Sequence, residues 1–331
     1  MPSASPSSPS PTSPTALTLV PVADAAAGPY ALAQGPDGAL WFTLVHAGRI
    51  GRLAGDGRVE FHSLDSPDCG PMVITEGPDG ALWFTRGLDH RIGRIDLSGR
   101  ATSFPLPTED AGPFGIVAGP DGALWFTETR GDRIGRITTE GEVTEFPLPM
   151  ADGFPSAIAV GQDGALWFTL NKADAIGRIT LDGTVDIHPL PTGDAGPVGI
   201  AAGADGALWF VETGAGQIGR ITTEGQVTEF PLPERAARPH AIVAGPDGRQ
   251  WFTEWGSGGL GAVDGEGRME LFPLPPAGSE PHGIAVGPDG ALYAALETGA
   301  LARLYPGGAA CRAAQPGAPG KNDAHGDDSA G

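Results

Sequence analysis

Two histidines and two glutamates near the C-terminal end of the chain have side chains suited to acid–base and metal chemistry. His240 and His282 are 42 residues apart. Glu280 lies two residues before His282, and Glu297 lies 15 residues after it. A neutral imidazole, with an ordinary pKa of about 6.5, can take up a proton at physiological pH. Two carboxylates with water oxygens suit Mg²⁺, which polarises a carbonyl group. The set predicts proton abstraction next to a carbonyl or activation of water, so elimination and hydrolysis both stay open.

The elements that position these residues belong to a repeat. An aromatic anchor recurs every 42 residues without insertion or deletion, at Trp41, Trp83, Trp125, Trp167, Trp209, Trp251 and Tyr293. Each anchor lies in a version of Gly-Pro-Asp-Gly-Ala-Leu-Trp-Phe-Thr. In the third repeat, apolar runs at 115–118, 123–127, 133–137 and 143–146 alternate with glycine turns, which is typical of β-hairpins. Such units predict an all-β fold, a seven-bladed β-propeller with four-stranded antiparallel blades.

The ends of the chain indicate how the ring closes. The seventh repeat stops after Leu304 without an outer strand, and Leu19-Val20-Pro21-Val22 matches the missing piece. We therefore expect the N-terminal strand to complete the last blade, which leaves no edge strand exposed. The predicted propeller spans residues 16–305. Residues 1–15, rich in Ser and Pro, and 306–331, rich in Gly, Ala and Asp, are predicted to be disordered.

Exceptions to the repeat identify the candidate site. Eleven residues before the anchors the occupants are Tyr30, Met72, Phe114, Ser156, Val198, His240 and His282. This position begins the innermost strand of each blade, so the seven side chains should converge at one mouth of the central channel. Most repeats have glycine two residues earlier, whereas the seventh has Glu280. Glu297, four residues after the last anchor, is the only acidic residue at its repeat position, and both carboxylates could approach one point.

Other histidines and one tryptophan receive different interpretations. His62 and His188 occupy an outer-strand position that holds phenylalanine in four other repeats, which indicates packing rather than chemistry. Trp255 is the only tryptophan outside the 42-residue register. Packing between blades and an aromatic wall near the site both stay open for it.

Composition excludes some classes of function. The net charge of −20 makes nucleic acid an unfavourable partner. Two cysteines give no disulfide framework, no apolar run is long enough to span a membrane, and the N-terminus lacks the features of a signal peptide. We therefore expect a cytoplasmic protein. The sequence contains no Gly-x-Ser-x-Gly element, zinc-type His-Glu-x-x-His motif or glycine-rich phosphate loop.

Three motifs extend the repeat likeness to a family. They are Pro-His-Ala-Ile at 239–242, Trp-Phe-Thr-Glu-Trp-Gly at 251–256 and Ser-Glu-Pro-His-Gly-Ile at 279–284. Over about residues 17–305 the chain resembles the virginiamycin B lyases, also called streptogramin B lyases. The resemblance implies a monomeric propeller that opens type B streptogramins, cyclic depsipeptides closed by an ester to a threonine side chain. It also implies elimination that depends on Mg²⁺ and proceeds without water.

The same resemblance implies roles for five residues. His282 would be the general base that takes the threonine α-proton. Glu280 and Glu297 would bind Mg²⁺, His240 would contact the substrate, and Tyr30 matches an aromatic residue near the family site. Tyr293 departs from the usual tryptophan anchor and is expected to fill the same core position. Two alternatives remain: a lactonase-like propeller hydrolase that adds water, and a propeller that binds a ligand at its channel mouth without catalysis.

Overall fold

A computed structural model describes residues 17–306 as seven four-stranded antiparallel sheets arranged in a ring. The predicted all-β seven-bladed propeller is therefore confirmed. The predicted N-terminal tail, residues 1–15, lies outside the described residues, and of the predicted tail at 306–331 only residue 306 is described. Within residues 17–306, no helix is long and apolar enough to cross a membrane. The helical segments described are two short 3₁₀ turns, Ala25–Ala27 and Arg235–Ala237.

Strands are numbered β1 to β28 along the chain. The innermost strands are β2 (Pro29–Gln34), β6 (Pro71–Glu76), β10 (Pro113–Ala118), β14 (Pro155–Val160), β18 (Pro197–Ala202), β22 (Pro239–Ala244) and β26 (Pro281–Val286). The second strands are β3 (Leu40–Leu44), β7 (Leu82–Arg86), β11 (Leu124–Glu128), β15 (Leu166–Leu170), β19 (Leu208–Glu212), β23 (Gln250–Glu254) and β27 (Leu292–Leu296). The third strands are β4 (Arg49–Leu53), β8 (Arg91–Ile95), β12 (Arg133–Ile137), β16 (Ala175–Ile179), β20 (Gln217–Ile221), β24 (Gly259–Val263) and β28 (Ala300–Leu304). The outer strands are β5 (Val59–Ser63), β9 (Ala101–Pro105), β13 (Val143–Pro147), β17 (Val185–Pro189), β21 (Val227–Pro231), β25 (Met269–Pro273) and, in the seventh blade, β1 (Leu17–Pro21).

The ring closes through the N-terminal strand, as the sequence predicts. Strand β1 pairs antiparallel with β28, from Leu17 opposite Leu304 to Pro21 opposite Ala300. The seventh sheet therefore has the order β1-β28-β27-β26, with its outer strand supplied from the other end of the chain. The pairing joins both ends of the described chain in one sheet and removes the unpaired edge of β28.

The core lies between neighbouring blades and is built from the anchors. Trp41 is fully buried and packs in one cluster with Leu82 and Phe84 of the next blade. Its indole Nε1 donates a 3.1 Å hydrogen bond to Asp37 in the preceding turn. This bond satisfies a polar group that would otherwise be buried without a hydrogen-bond partner. The seventh anchor, Tyr293, is 6% exposed and donates through its hydroxyl to Asp289. The tyrosine therefore fills the core position of the tryptophans, as predicted.

Candidate active site

His282, the second residue of β26, is held by backbone contacts that recur around the ring. The pairing of β26 with β27 shifts register between Pro281 and Ile284, and such a bulge redirects the intervening side chains. The carbonyl oxygen of His282 accepts a 2.7 Å hydrogen bond from Thr253 Oγ1 of the sixth blade. Corresponding threonines make the same contact at four other blade junctions, namely Thr43, Thr85, Thr127 and Thr169. This contact fixes the backbone of His282 without engaging its side chain.

His282 and Glu297 form a hydrogen-bonded pair in the seventh blade. Nε2 of His282 lies 2.7 Å from Oε1 of Glu297. Burial raises the pKa of Glu297, but the hydrogen bond and the charge of His282 outweigh it, so the net pKa lies below the ordinary value. Glu297 is therefore ionised at neutral pH and can only accept, which makes Nε2 the donor. Nδ1 of His282 is buried and has no hydrogen-bond partner among residues 17–306.

Glu280 brings a second carboxyl group to Glu297. The backbone N–H of Glu297 donates to the carbonyl oxygen of Glu280 at 3.5 Å, and a hydrogen bond involving the Glu280 side chain also lowers the pKa of Glu297. Glu280 has a φ of 45°, in the left-handed region that glycine adopts freely. A residue with a Cβ in that conformation costs on the order of 1 kcal/mol. The left-handed backbone at position 280 therefore favours glycine, and glutamate is present there despite this cost.

The two carboxylates fit a hard divalent cation. Both offer oxygen ligands, and the Glu297 side chain is 41% exposed, so a cation can reach it from solvent. Among the residues described here, no group of three or more His, Cys, Asp or Glu side chains is arranged to hold a metal. A cation at Glu280 and Glu297 would therefore take its remaining ligands from water or substrate. Mg²⁺ is commonly bound by one or two carboxylates in this way.

His240 and Tyr30 lie against the imidazole of His282. The ring centroid of His282 is 5.1 Å from that of His240, edge to face, and 4.8 Å from that of Tyr30. Burial, with the charge of His282, lowers the pKa of His240 to about 4. Burial, with the charge of Glu297, raises the pKa of the Tyr30 hydroxyl well above its usual range. Both rings are consequently uncharged at neutral pH, and each keeps a proton that it can donate.

The fold has close counterparts among known proteins. The family model described as "Virginiamycin B lyase family" matches residues 15–304. The chain belongs to the virginiamycin B lyase family. The resemblance inferred from the sequence is thereby confirmed.

Two solved structures and one curated relative illustrate how similar the members of the virginiamycin B lyase family are to this chain. A virginiamycin B lyase from Staphylococcus aureus is 41% identical, with a TM-score of 0.86 over 88% of this chain and 99% of that one. A catalytically inactive histidine-to-alanine variant from S. aureus, solved with quinupristin, is 40% identical with a TM-score of 0.85 over the same shares. A virginiamycin B lyase from Streptomyces coelicolor is 69% identical over 42 residues, which cover 12% of this chain and 14% of the relative.

In this member of the virginiamycin B lyase family, Trp255 forms an aromatic wall beside His282. The two ring centroids are 6.4 Å apart with an interplanar angle of 30°. The guanidinium carbon of Arg238 lies over the Trp255 ring, 5.3 Å from its centroid. The indole Nε1 is buried without a hydrogen-bond partner within residues 17–306. Of the two interpretations left open by the sequence, the structure favours the wall near the site.

The seven repeat positions converge at the channel mouth, as predicted. A cleft of about 400 Å³ is lined by six of the seven occupants: Tyr30, Met72, Phe114, Ser156, Val198 and His240. The seventh, His282, lies against Tyr30 and His240. An adjoining apolar cavity of about 160 Å³ is lined by Ile116, Ile158 and Ile200, which lie further along the innermost strands. The mouth of this virginiamycin B lyase family member therefore joins an apolar cleft to the His282–Glu297 pair.

One neighbour of the site carries no signal in the sequence. The charge of His46 contributes to lowering the pKa of Glu297, so this exposed loop residue lies near the carboxylate. Its ring packs over Gly28, where an added Cβ would lie 2.4 Å from His46 Cδ2. No repeat position marks His46 as unusual, because its place in the other blades is filled by unrelated residues. The contact depends on how the loops fold over the mouth.

Proposed function

We propose that this protein linearises type B streptogramin antibiotics by Mg²⁺-dependent elimination at the threonine ester bond, and so gives antibiotic resistance. The observation that carries the proposal is the 2.7 Å His282–Glu297 hydrogen bond, with Glu280 beside it at the channel mouth. Membership of the virginiamycin B lyase family and the S. aureus variant solved with quinupristin support a cyclic peptide substrate.

His282 is the proposed general base. The imidazole removes the α-proton of the substrate threonine, and the released electron pair forms the Cα–Cβ double bond. The bond from Cβ to the ester oxygen breaks, and its electron pair leaves with the carboxylate. The macrocycle opens without gain or loss of atoms. Since the leaving group is a carboxylate, a weak base, the step needs no acid to protonate it.

The hydrogen bond between His282 and Glu297 sets a condition for this step. Nε2 faces half-exposed Glu297 and carries the proton, whereas Nδ1 is buried. Abstraction by Nε2 requires the tautomer with its proton on Nδ1, and therefore requires Glu297 to give up the hydrogen bond. Glu280 and Glu297 would together hold Mg²⁺, which when bound withdraws electron density from the carbonyl next to the acidic proton. With Glu297 bound to the cation instead of to the imidazole, Nε2 would no longer be hydrogen-bonded and could act as the base.

His240 and Tyr30 are proposed to contact the substrate. Both are uncharged at neutral pH, so each can donate a hydrogen bond to a carbonyl oxygen without a competing charge. Together with Trp255 they close the space around His282 with rings, which limits the access of water to the α-carbon. Exclusion of water favours elimination over hydrolysis.

The test is incubation of the purified protein with a type B streptogramin, in Mg²⁺ and in EDTA, followed by mass spectrometry. Quinupristin is the first choice, since the S. aureus relative was solved with it. We expect a ring-opened product of unchanged mass that disappears with EDTA. A product heavier by one water would assign the protein to the hydrolases instead. Binding without conversion would indicate the non-catalytic alternative.

A further inference from the structure

One repeat position holds glycine in four blades and a different residue in the other three. The residue before the proline of each innermost strand has a left-handed φ: 62° at Gly28, 58° at Gly70, 60° at Gly112, 52° at Phe154, 56° at Gly196, 50° at Arg238 and 45° at Glu280. Glycine adopts this conformation without steric cost, whereas other residues are disfavoured in it. Phe154, Arg238 and Glu280 therefore persist against a local preference that four blades satisfy.

Two of these three exceptions supply side chains to the site already described. Glu280 brings its carboxyl group to Glu297, and Arg238 covers the ring of Trp255 beside His282. At this position, a residue other than glycine reaches the channel mouth. The third exception, Phe154, lies in the fourth blade, away from both, and the proposed mechanism gives it no task.

The backbone around Phe154 does not need the aromatic ring. Its N–H donates to Asp132 Oδ1 at 3.2 Å, and the N–H of Gly196 donates in the same way to Asp174 Oδ1 at 3.0 Å in the next blade. The two loops thus use one hydrogen-bond pattern, once with phenylalanine and once with glycine. The difference between them is the side chain, so the reason for Phe154 has to be sought in what its ring contacts.

The ring of Phe154 lines the 400 Å³ cleft at the channel mouth together with Met72 and Phe114. Tyr30 and His240 line the same cleft and connect it to His282. One side of the Phe154 ring is covered by the ammonium group of Lys172, whose Nζ lies 4.8 Å from the ring centroid. Such a cation–π contact holds the ring in place. An apolar cleft with a fixed aromatic wall suits an aromatic or aliphatic side chain of a ligand.

We propose that Phe154 is a specificity-determining residue, which binds an apolar or aromatic side chain of the cyclic peptide while the ester faces His282. This inference rests on the proposed function. Phe154 contacts the part of the substrate that does not react, so it binds substrate and transition state equally. Its loss therefore raises KM and leaves kcat unchanged.

The decisive variant is Phe154→Gly, because it restores the residue that four blades have at this position. We expect KM for a type B streptogramin to rise about tenfold, which corresponds to about 1.4 kcal/mol, with kcat changed less than about twofold. The thermal midpoint should not fall, since glycine relieves the left-handed strain. Phe154→Tyr keeps the ring and is expected to rescue most of the KM.

Phe61→Ser is the matched control, since Phe61 is 47% exposed on the outer strand of the first blade, and its KM should equal that of the wild type. A Phe154→Gly KM equal to the wild-type value, with normal turnover, would overturn the assignment and leave the proposed function standing. A kcat loss with unchanged KM would also overturn it. Absence of any wild-type turnover would reject the proposed function, and this inference with it.

Discussion

The molecule has two pairs of histidines at repeat positions, and their surroundings differ completely. His62 and His188, on the outer strands, stack on Trp41 and Trp167 with centroid distances of 5.5 and 5.4 Å. Phenylalanines do the same in four other blades. His240 and His282 begin innermost strands and contact one another at the mouth. An outer histidine replaces one flat ring by another inside a blade, whereas an inner one enters a space shared by all seven blades. Repeat position, and not residue type, thus separates the two stacked histidines from the two that meet at the channel mouth.

The largest effect is expected at His282. We expect His282→Ala to lower kcat for streptogramin ring opening by about 10³-fold, which is within the usual range for loss of a general base. The Thr253 hydrogen bond is made to the backbone of His282 and survives the substitution. The thermal midpoint should therefore change by only a few degrees. Steady-state kinetics with differential scanning calorimetry checks both statements, and substantial residual turnover in a folded variant would reject His282 as the base.

The second effect concerns Glu297. Glu297→Gln keeps the shape of the side chain but removes the charge that a cation would need. We expect half-maximal activity to require at least about tenfold more Mg²⁺, since a charged ligand contributes on the order of 1.4 kcal/mol or more to binding. The measurement is initial rate against Mg²⁺ concentration.

Glu109→Gln provides the control for Glu297, because Glu109 is an exposed glutamate in a loop away from the site pair. Its Mg²⁺ requirement should match that of the wild type. If Glu297→Gln also matched the wild type, Glu297 would not be a ligand, and its role would reduce to orienting His282.

The third effect is a pH dependence of stability that comes from His240. Its pKa of about 4 in the folded protein lies below the ordinary value near 6.5. The unfolded chain therefore takes up a proton first as the pH falls, so the stability contributed by neutral His240 is complete above about pH 6.5 and is lost towards pH 4. Between pH 7 and 5 the loss amounts to at most about 2 kcal/mol, at about 1.4 kcal/mol per pKa unit.

Urea unfolding of the wild type and His240→Gln at pH 7 and pH 5 measures this contribution. The glutamine variant cannot take up the proton, so its free energy of unfolding should fall less between the two pH values. Other titrating groups are common to both proteins and cancel in the comparison. Equal losses in the two proteins would show that His240 is protonated in the folded state at pH 5.

The fold and most of the candidate site could be predicted because the repeat supplies seven copies of each position. The pairing of β1 with β28 followed from a strand missing at one end and present at the other. Glu280 is the one acidic residue at its repeat position, and His240 and His282 are the two histidines at theirs. In the third repeat the sequence predicts an inner strand at 115–118, whereas β10 begins at Pro113. The pairing of β10 with β11 shifts register between Pro113 and Ile116, so the strand continues through a bulge at the mouth.

Features that depend on distance across the ring could not be predicted. The register shows which residues share a position, but not how far each side chain reaches, so Trp255 stayed ambiguous and Phe154 and His46 went unassigned. Glu128, at the end of β11, is a further example. The structure buries it completely, and burial with the nearby charge of Glu145 raises the pKa of Glu128 to about 8. Glu145 lies on β13, the outer strand of the same blade, and the spacing of the two residues along the chain does not show that they meet.

The smallest effect is the one that most directly tests the comparison of the two histidine pairs. Phenylalanine is the usual occupant of the His188 position, and the His188 ring packs against Gly225 of the next blade, as Phe146 packs against Gly183. Nε2 of His188 is buried without a partner among residues 17–306, and burial lowers the pKa of the ring. His188→Phe removes that unsatisfied nitrogen and keeps the stacking on Trp167. We therefore expect unchanged kcat and KM and a free energy of unfolding higher by up to about 1 kcal/mol. Kinetics and urea unfolding at pH 7 measure both. A loss of turnover would mean that the ring at position 188, on an outer strand, affects catalysis at the channel mouth.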